Sequence, residues 1–88
     1  MITIKKFGAE WCGPCRMLKP VLQQLREQYA GKAEIIEYDV DTAPAETEQY
    51  SITSIPVVII EKNGQLLERF TGLQSKLTYA NAINEAIK

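Results

Sequence analysis

Residues 11–15 read Trp11-Cys12-Gly13-Pro14-Cys15, and the hydrophobic periodicity changes on either side of them. Before the motif, Ile2-Thr3-Ile4-Lys5-Lys6-Phe7 alternates as a strand does, and Gly8 to Trp11 reads as a loop. After it, Met17, Val21, Leu22, Leu25 and Tyr29 recur at helical spacing, predicting an amphipathic helix from about Cys12 to Tyr29 with those residues as its core stripe. Gly31 supplies a stop signal. Ala33 to Val40, carrying Ile35, Ile36, Tyr38 and Val40, reads as a second strand. Strand, helix and strand in this order make a right-handed parallel unit, with the cysteines at the head of its helix.

Further along, Ala43 to Tyr50 is too polar for more than a short surface helix. Val57-Val58-Ile59-Ile60 is an uninterrupted β-branched run, Asn63-Gly64 is a hairpin signal, and Leu66 to Phe70 returns as a fourth strand. A last helix has Ser75 as its candidate cap and Leu77, Ala80, Ile83 and Ile87 along one stripe. The pattern βαβ then ββα predicts an α/β fold, a mixed four-stranded sheet flanked by helices. Tyr29, Tyr38, Tyr50 and Tyr79 are expected to serve in packing.

A length of 88 residues suits a single domain spanning residues 1–88. A net charge of −1 with scattered lysines and arginines gives electrostatic capture of nucleic acid or an anionic membrane little to work with, so protein partners are expected and the chain is expected to be a monomer. The N-terminal residues lack the apolar run of a signal peptide and no segment could span a bilayer as a helix, which places the chain in the cytoplasm as an expectation.

The chemistry of the motif follows from helix geometry. With Cys12 at the N-cap, Gly13 and Pro14 occupy the first turn, where a missing proline N–H costs nothing because those donors have no intrahelical partner. The backbone N–H of Cys15 then points back at the Cys12 sulfur, which also feels the positive end of the helix dipole; both effects favour the thiolate. Cys12 is therefore expected to be the exposed, low-pKa nucleophile, with Cys15 inward-facing and protonated until needed. Three helical residues of separation bring the two sulfurs within bridging range. The expected cycle is attack on a disulfide by Cys12, a mixed disulfide, and resolution by Cys15. A structural staple closing so short a loop would constrain the unfolded chain little. A structural zinc site wants four Cys or His ligands, whereas this chain offers two Cys and no His, and an iron–sulfur cluster fails on the same count. No metal and no cofactor are expected.

Beyond Trp11 to Cys15, the chain carries Pro20 within the helix, Asp41 after the second strand, Ile55-Pro56 before the third, Asn63-Gly64 in the hairpin and Gly72 before the last helix. With these pieces the chain resembles the thioredoxin family over nearly its whole length, which implies a thioredoxin-like fold and reduction of protein disulfides. The resemblance also implies a cis bond between Ile55 and Pro56, facing the cysteines. A substrate surface formed by Trp11, Gly13, Pro14, Ile55, Pro56 and Gly72, and a flavin-dependent thioredoxin reductase as electron donor, are implied in the same way. A rival from another class is a binding module or accessory subunit that docks a larger protein through Trp11, Ile55 and Gly72; docking alone needs neither thiol.

Two departures from the family pattern matter. The chain begins directly with the strand that leads to the cysteines, so the family's usual first strand and helix are absent and Ala33 to Val40 falls on a sheet edge, its charges Glu34, Glu37 and Asp39 blunting that edge. The second lies six positions before the first cysteine, where thioredoxins usually carry an acid that assists proton transfer at the second cysteine; here it is Lys6. Counting back four from Asp41, the position of the family's partner lysine is Glu37. The resemblance therefore implies that acid and base have exchanged strands, with Lys6 and Glu37 as candidates for the proton relay and a slower reduction rate than in the usual arrangement.

Overall fold

The computed structural model describes residues 1–88. Seven elements follow in chain order: β1 (Ile2–Gly8), α1 (Gly13–Gln28), β2 (Ala33–Asp39), α2 (Pro44–Gln49), β3 (Val57–Lys62), β4 (Gln65–Thr71) and α3 (Lys76–Ile87). The strands make one mixed sheet in the order β2-β1-β3-β4. β1 and β2 are parallel, as a helical crossover allows, while β1 with β3 and β3 with β4 are antiparallel. β2 is therefore an edge strand, as its place in the sequence implies.

Alternation along β1 divides its side chains between two cores. Ile2 and Ile4 join Leu18, Leu22 and Leu25 of α1, Val58 and Ile60 of β3, and Tyr79 and Ile83 of α3. Phe7, Val57 and Ile59 form a smaller core on the opposite face, packed by Tyr38, Tyr50 and Ile52. Buried on both faces, β3 can carry four consecutive β-branched residues. Asn63 and Gly64 turn the chain with φ of 53° and 83°, the pair of left-handed conformations that a two-residue hairpin of matching twist requires.

Three expected core residues lie outside the cores. Met17 is 64% exposed, and the buried stripe of α1 instead runs Cys15, Leu18, Leu22 and Leu25. The 3-4-3 spacing from Cys15 fixes which side of the helix meets the sheet, and Met17 falls one residue out of phase with it. In α3, Leu77 and Ile87 are exposed and Tyr79, Ala80, Ile83 and Ala86 are buried. The Tyr79 ring, set edge-on to Phe70 of β4 at 5.5 Å, fixes the rotation of that helix and turns Leu77 to solvent.

On the α2 side of the sheet, the Lys5 ammonium donates to the Tyr50 hydroxyl at 2.7 Å and pairs with Glu61 at 3.1 Å, and the Tyr50 hydroxyl donates to Glu61 at 2.7 Å. This network ties the C-terminal end of α2 to the two central strands. The Tyr50 ring packs on Phe7 as expected, but its hydroxyl joins two charges as well.

Candidate functional site

Cys12 is the N-cap of α1, with extended φ and ψ of −93° and 114°, and its sulfur accepts a hydrogen bond from the Cys15 N–H at 3.3 Å. Pro14 stands in the first turn, where no amide proton is missed. The two cysteines are joined as a disulfide, with Cα atoms 5.2 Å apart. Cys15 is 1% exposed and Cys12 7%. Cys12 is thus more enclosed than an exposed nucleophile would be, because Ala9, Val40 and Ile55 pack around the bridged pair.

The loop before β3 brings Ile55 against the cysteines, and its peptide bond to the buried Pro56 is cis. The Pro56 carbonyl accepts from the Gly72 N–H at 2.8 Å, which holds Gly72 beside this loop. Trp11 is 67% exposed, and its indole N–H donates to Asp41 at 2.8 Å, so the ring is anchored at one end and open along its faces. Between Trp11 and Ile55 lies a depression of about 290 Å³ that also takes in Val40, Ile52 and Thr53. Gly13 and Pro14 border the disulfide at the surface, and Gly13 has open space where a side chain would stand.

Behind the pair, Lys6 and Glu37 are opposite one another in the parallel register of β1 and β2. Lys6 is buried, and its ammonium stands 3.6 Å from a Glu37 carboxylate oxygen. The other oxygen of Glu37, whose side chain is one-third exposed, takes Arg26 of α1 at 2.8 Å. Burial alone would push the Glu37 carboxyl up, but the Arg26 hydrogen bond and the charges of Lys6, Arg26 and Lys19 together outweigh it and hold the group below the ordinary glutamate value. Gly8 marks how closely these groups meet. A Cβ placed there would lie 2.9 Å from both Cε and Nζ of Lys6 and 3.1 Å from the Cys15 sulfur.

The sequence reading missed Asp41 as the partner of Trp11, Arg26 as the second partner of Glu37, and Gly8 as the gap between Lys6 and Cys15. Arg26 alone left a usable signal: a basic residue in the last turn of α1, where the helix runs back over β2.

A vicinal cysteine pair at a helix N-terminus, on a βαβ-ββα sheet and beside a cis proline, is the layout of a thiol-disulfide oxidoreductase. The family model described as Thioredoxin matches residues 2–85. The chain is 39% identical over 84 residues to thioredoxin of Staphylococcus aureus, covering 96% of this chain and 81% of that one. A point mutant of thioredoxin from Halobacterium salinarum superposes with a TM-score of 0.93 at 31% identity, covering 99% of this chain and 75% of that one. Mitochondrial thioredoxin 3 of Saccharomyces cerevisiae, in its oxidised form, gives 0.87 at 28% identity, with coverages of 96% and 77%. The chain belongs to the thioredoxin family, and it is a protein-disulfide reductase acting on protein disulfides. No helix is long and apolar enough to cross a membrane.

Proposed function

We propose that Cys12 is the nucleophile of this reductase and Cys15 its resolving thiol, in a single-domain monomer that works in the cytoplasm with a flavin-dependent thioredoxin reductase as electron donor. The observation that carries the assignment is the hydrogen bond from the Cys15 N–H to the Cys12 sulfur at the N-cap, which stabilises negative charge on Cys12 and has no counterpart at Cys15. In the reduced enzyme the Cys12 thiolate attacks one sulfur of the substrate disulfide and forms a mixed disulfide; the other substrate sulfur leaves as a thiolate and takes a proton from water. Cys15 then loses its proton and attacks the Cys12 sulfur. The Cys12–Cys15 bond forms, the second substrate thiolate departs, and two electrons have passed from the enzyme dithiol to the substrate. The donor's two electrons and two protons restore the dithiol.

Trp11, Gly13 and Pro14 beside the cysteines in the chain, and Ile55 packed against them with Pro56 and Gly72 joined behind it, form the proposed substrate surface. An extended segment laid between them would meet the backbone at Ile55 as an added strand. The Lys6–Glu37 pair, behind Cys15, assists the deprotonation of that thiol. Insulin reduction with dithiothreitol, then with a flavin reductase as donor, tests the activity and the donor. Cys15→Ser should accumulate mixed disulfides through Cys12, and faster alkylation of Cys15 than of Cys12 at neutral pH would reverse the roles.

A further inference from the structure

Lys6 is a buried lysine whose ammonium is not spent on the nearest carboxylate alone. One point in space, the missing Cβ of Gly8, lies 2.9 Å from Nζ and 3.1 Å from the Cys15 sulfur. The cation and the sulfur can be no further apart than those two distances laid end to end, and no side chain at residue 8 stands between them. Glu37 is already engaged by two cations: its nearer oxygen is 3.6 Å from the Lys6 Nζ, and its other oxygen accepts from Arg26.

We infer that Lys6 acts on Cys15 as a fixed buried cation that stabilises the Cys15 thiolate, so that the resolving thiol is activated by charge and not by a carboxylate that takes its proton. This rests on the proposed roles of the two cysteines and deepens them. Lys6 does not touch the substrate, and it is an electrostatic positioning residue. Glu37 and Arg26 hold the ammonium in place. A cavity of about 140 Å³ bounded by Lys6, Glu37, Lys19 and Asp39 links this corner to solvent. When the mixed disulfide is resolved, the Cys15 proton leaves to water by that route, the Cys15 sulfur bonds to Cys12, and the substrate thiolate is released; Lys6 ends the step with the protons it began with.

The titratable and charged groups around Lys6 are Glu37, Tyr38 and Asp39 from β2, Lys19 from α1 and Glu10 from the loop after β1, which share its cavity, and Arg26 from α1, which pairs with Glu37. Val58 of β3, beside Lys6, is apolar. Lys6 is the buried member of the set, so its charge is the least screened by water. Two unit charges at the largest separation these distances allow, at an effective dielectric near 20, shift a thiol by about 2 pH units.

The test follows the Cys15 thiol by thiolate ultraviolet absorbance in the Cys12→Ser background, alone and combined with Lys6→Met, Lys6→Arg or Glu37→Gln. Lys6→Met should raise the Cys15 titration by about 2 pH units, and Lys6→Arg should keep most of the original value. Glu37→Gln should leave it in place or lower it, because a negative charge has been removed. Arg26 still holds Glu37 in Lys6→Met; should that variant fail to fold, Lys6→Arg and Glu37→Gln decide the question. An unmoved titration in Lys6→Met, or a rise in Glu37→Gln, overturns the inference. Trapping by Cys15→Ser keeps the two levels apart: no mixed disulfide through Cys12 sinks the cysteine roles, whereas normal trapping with an unmoved Lys6→Met titration sinks the inference alone.

Discussion

Replacing Tyr50 by Phe keeps the ring and removes one oxygen. That hydroxyl accepts from the Lys5 ammonium and donates to the Glu61 carboxylate, both at 2.7 Å, while the ring stands 5.5 Å from Phe7 and beneath Lys5 at 5.0 Å. A hydrogen bond to a charged group is worth about 1.5–3 kcal/mol. Two are lost here, but Lys5 and Glu61 keep their own ion pair at 3.1 Å, and the Lys5 side chain, 19% exposed, can recover a water. We therefore expect Tyr50→Phe to cost about 1–2 kcal/mol, not the sum of two such bonds, lowering Tm by roughly 5–15 °C in a domain of this size. The loss should depend on pH in a defined direction. Burial first, and then the hydrogen bond to Glu61, raise the Tyr50 hydroxyl above its ordinary value against the opposing Lys5. The Tyr50 hydrogen bond, opposed by desolvation and aided by Glu61, likewise raises the Lys5 ammonium. Groups raised on folding contribute fully below their unfolded values and lose that contribution as pH climbs through the folded ones, so the gap between parent and variant should be whole at pH 7 and shrink progressively above about pH 10. Urea denaturation of the oxidised proteins at both pH values measures it. Equal midpoints at pH 7, or a gap that widens with alkali, would refute the reasoning.

Gly8→Ala should destabilise by about 1 kcal/mol, the lower end of overpacking costs, because the tip of Lys6 can swing aside while the Cys15 sulfur must give only a few tenths of an ångström; an unchanged urea midpoint would show that the corner is looser than described. Ser75→Ala removes the oxygen that caps the Thr78 N–H at 3.2 Å and should cost about 1 kcal/mol, with Ser75→Asp restoring it in the same denaturation series. Glu37, lowered on folding, contributes stability that is complete above the unfolded glutamate value near pH 4.3 and disappears as pH falls through the folded one. The parent should therefore lose its advantage over Glu37→Gln in acid, and a constant difference from pH 7 to pH 2 would contradict the ion pairs drawn here.

What the sequence disclosed was mostly local. The N-cap, the proline of the first turn, the Asn63-Gly64 hairpin and the Ser75 cap each depend on residues within one turn of chain, and each is found where its signal lies. The opposition of Lys6 and Glu37 was legible too, because parallel register can be counted once both strands are placed. Helix rotation was less so. Met17 and Leu18 are adjacent and both apolar, and only the position of the sheet buries one and exposes the other. The contacts of Trp11 with Asp41 and of Lys5 with Tyr50 and Glu61 join segments far apart in the chain, for which hydrophobic period carries no information. The space at Gly8 was equally hidden, since a glycine between a strand and a loop reads first as a turn residue.

β1 is the earliest strand in the chain and yet an interior one. β2 reaches it soon through α1, but the opposite side is completed only when β3 arrives, with Ile2 meeting Lys62 and Phe7 meeting Val57. At ribosomal rates of ~5–20 residues per second, roughly 1–5 s separate the emergence of β2 and β3. During that interval the nascent βαβ unit presents an open strand edge, rich in isoleucine, of the kind that recruits other chains. Lys5 stands in the middle of it, its later partners not yet made, and exposed charge there discourages intermolecular strand pairing. Lys5 therefore has an earlier duty than the one the finished molecule displays: its charge guards the half-made sheet on the ribosome, before Tyr50 and Glu61 arrive as its partners.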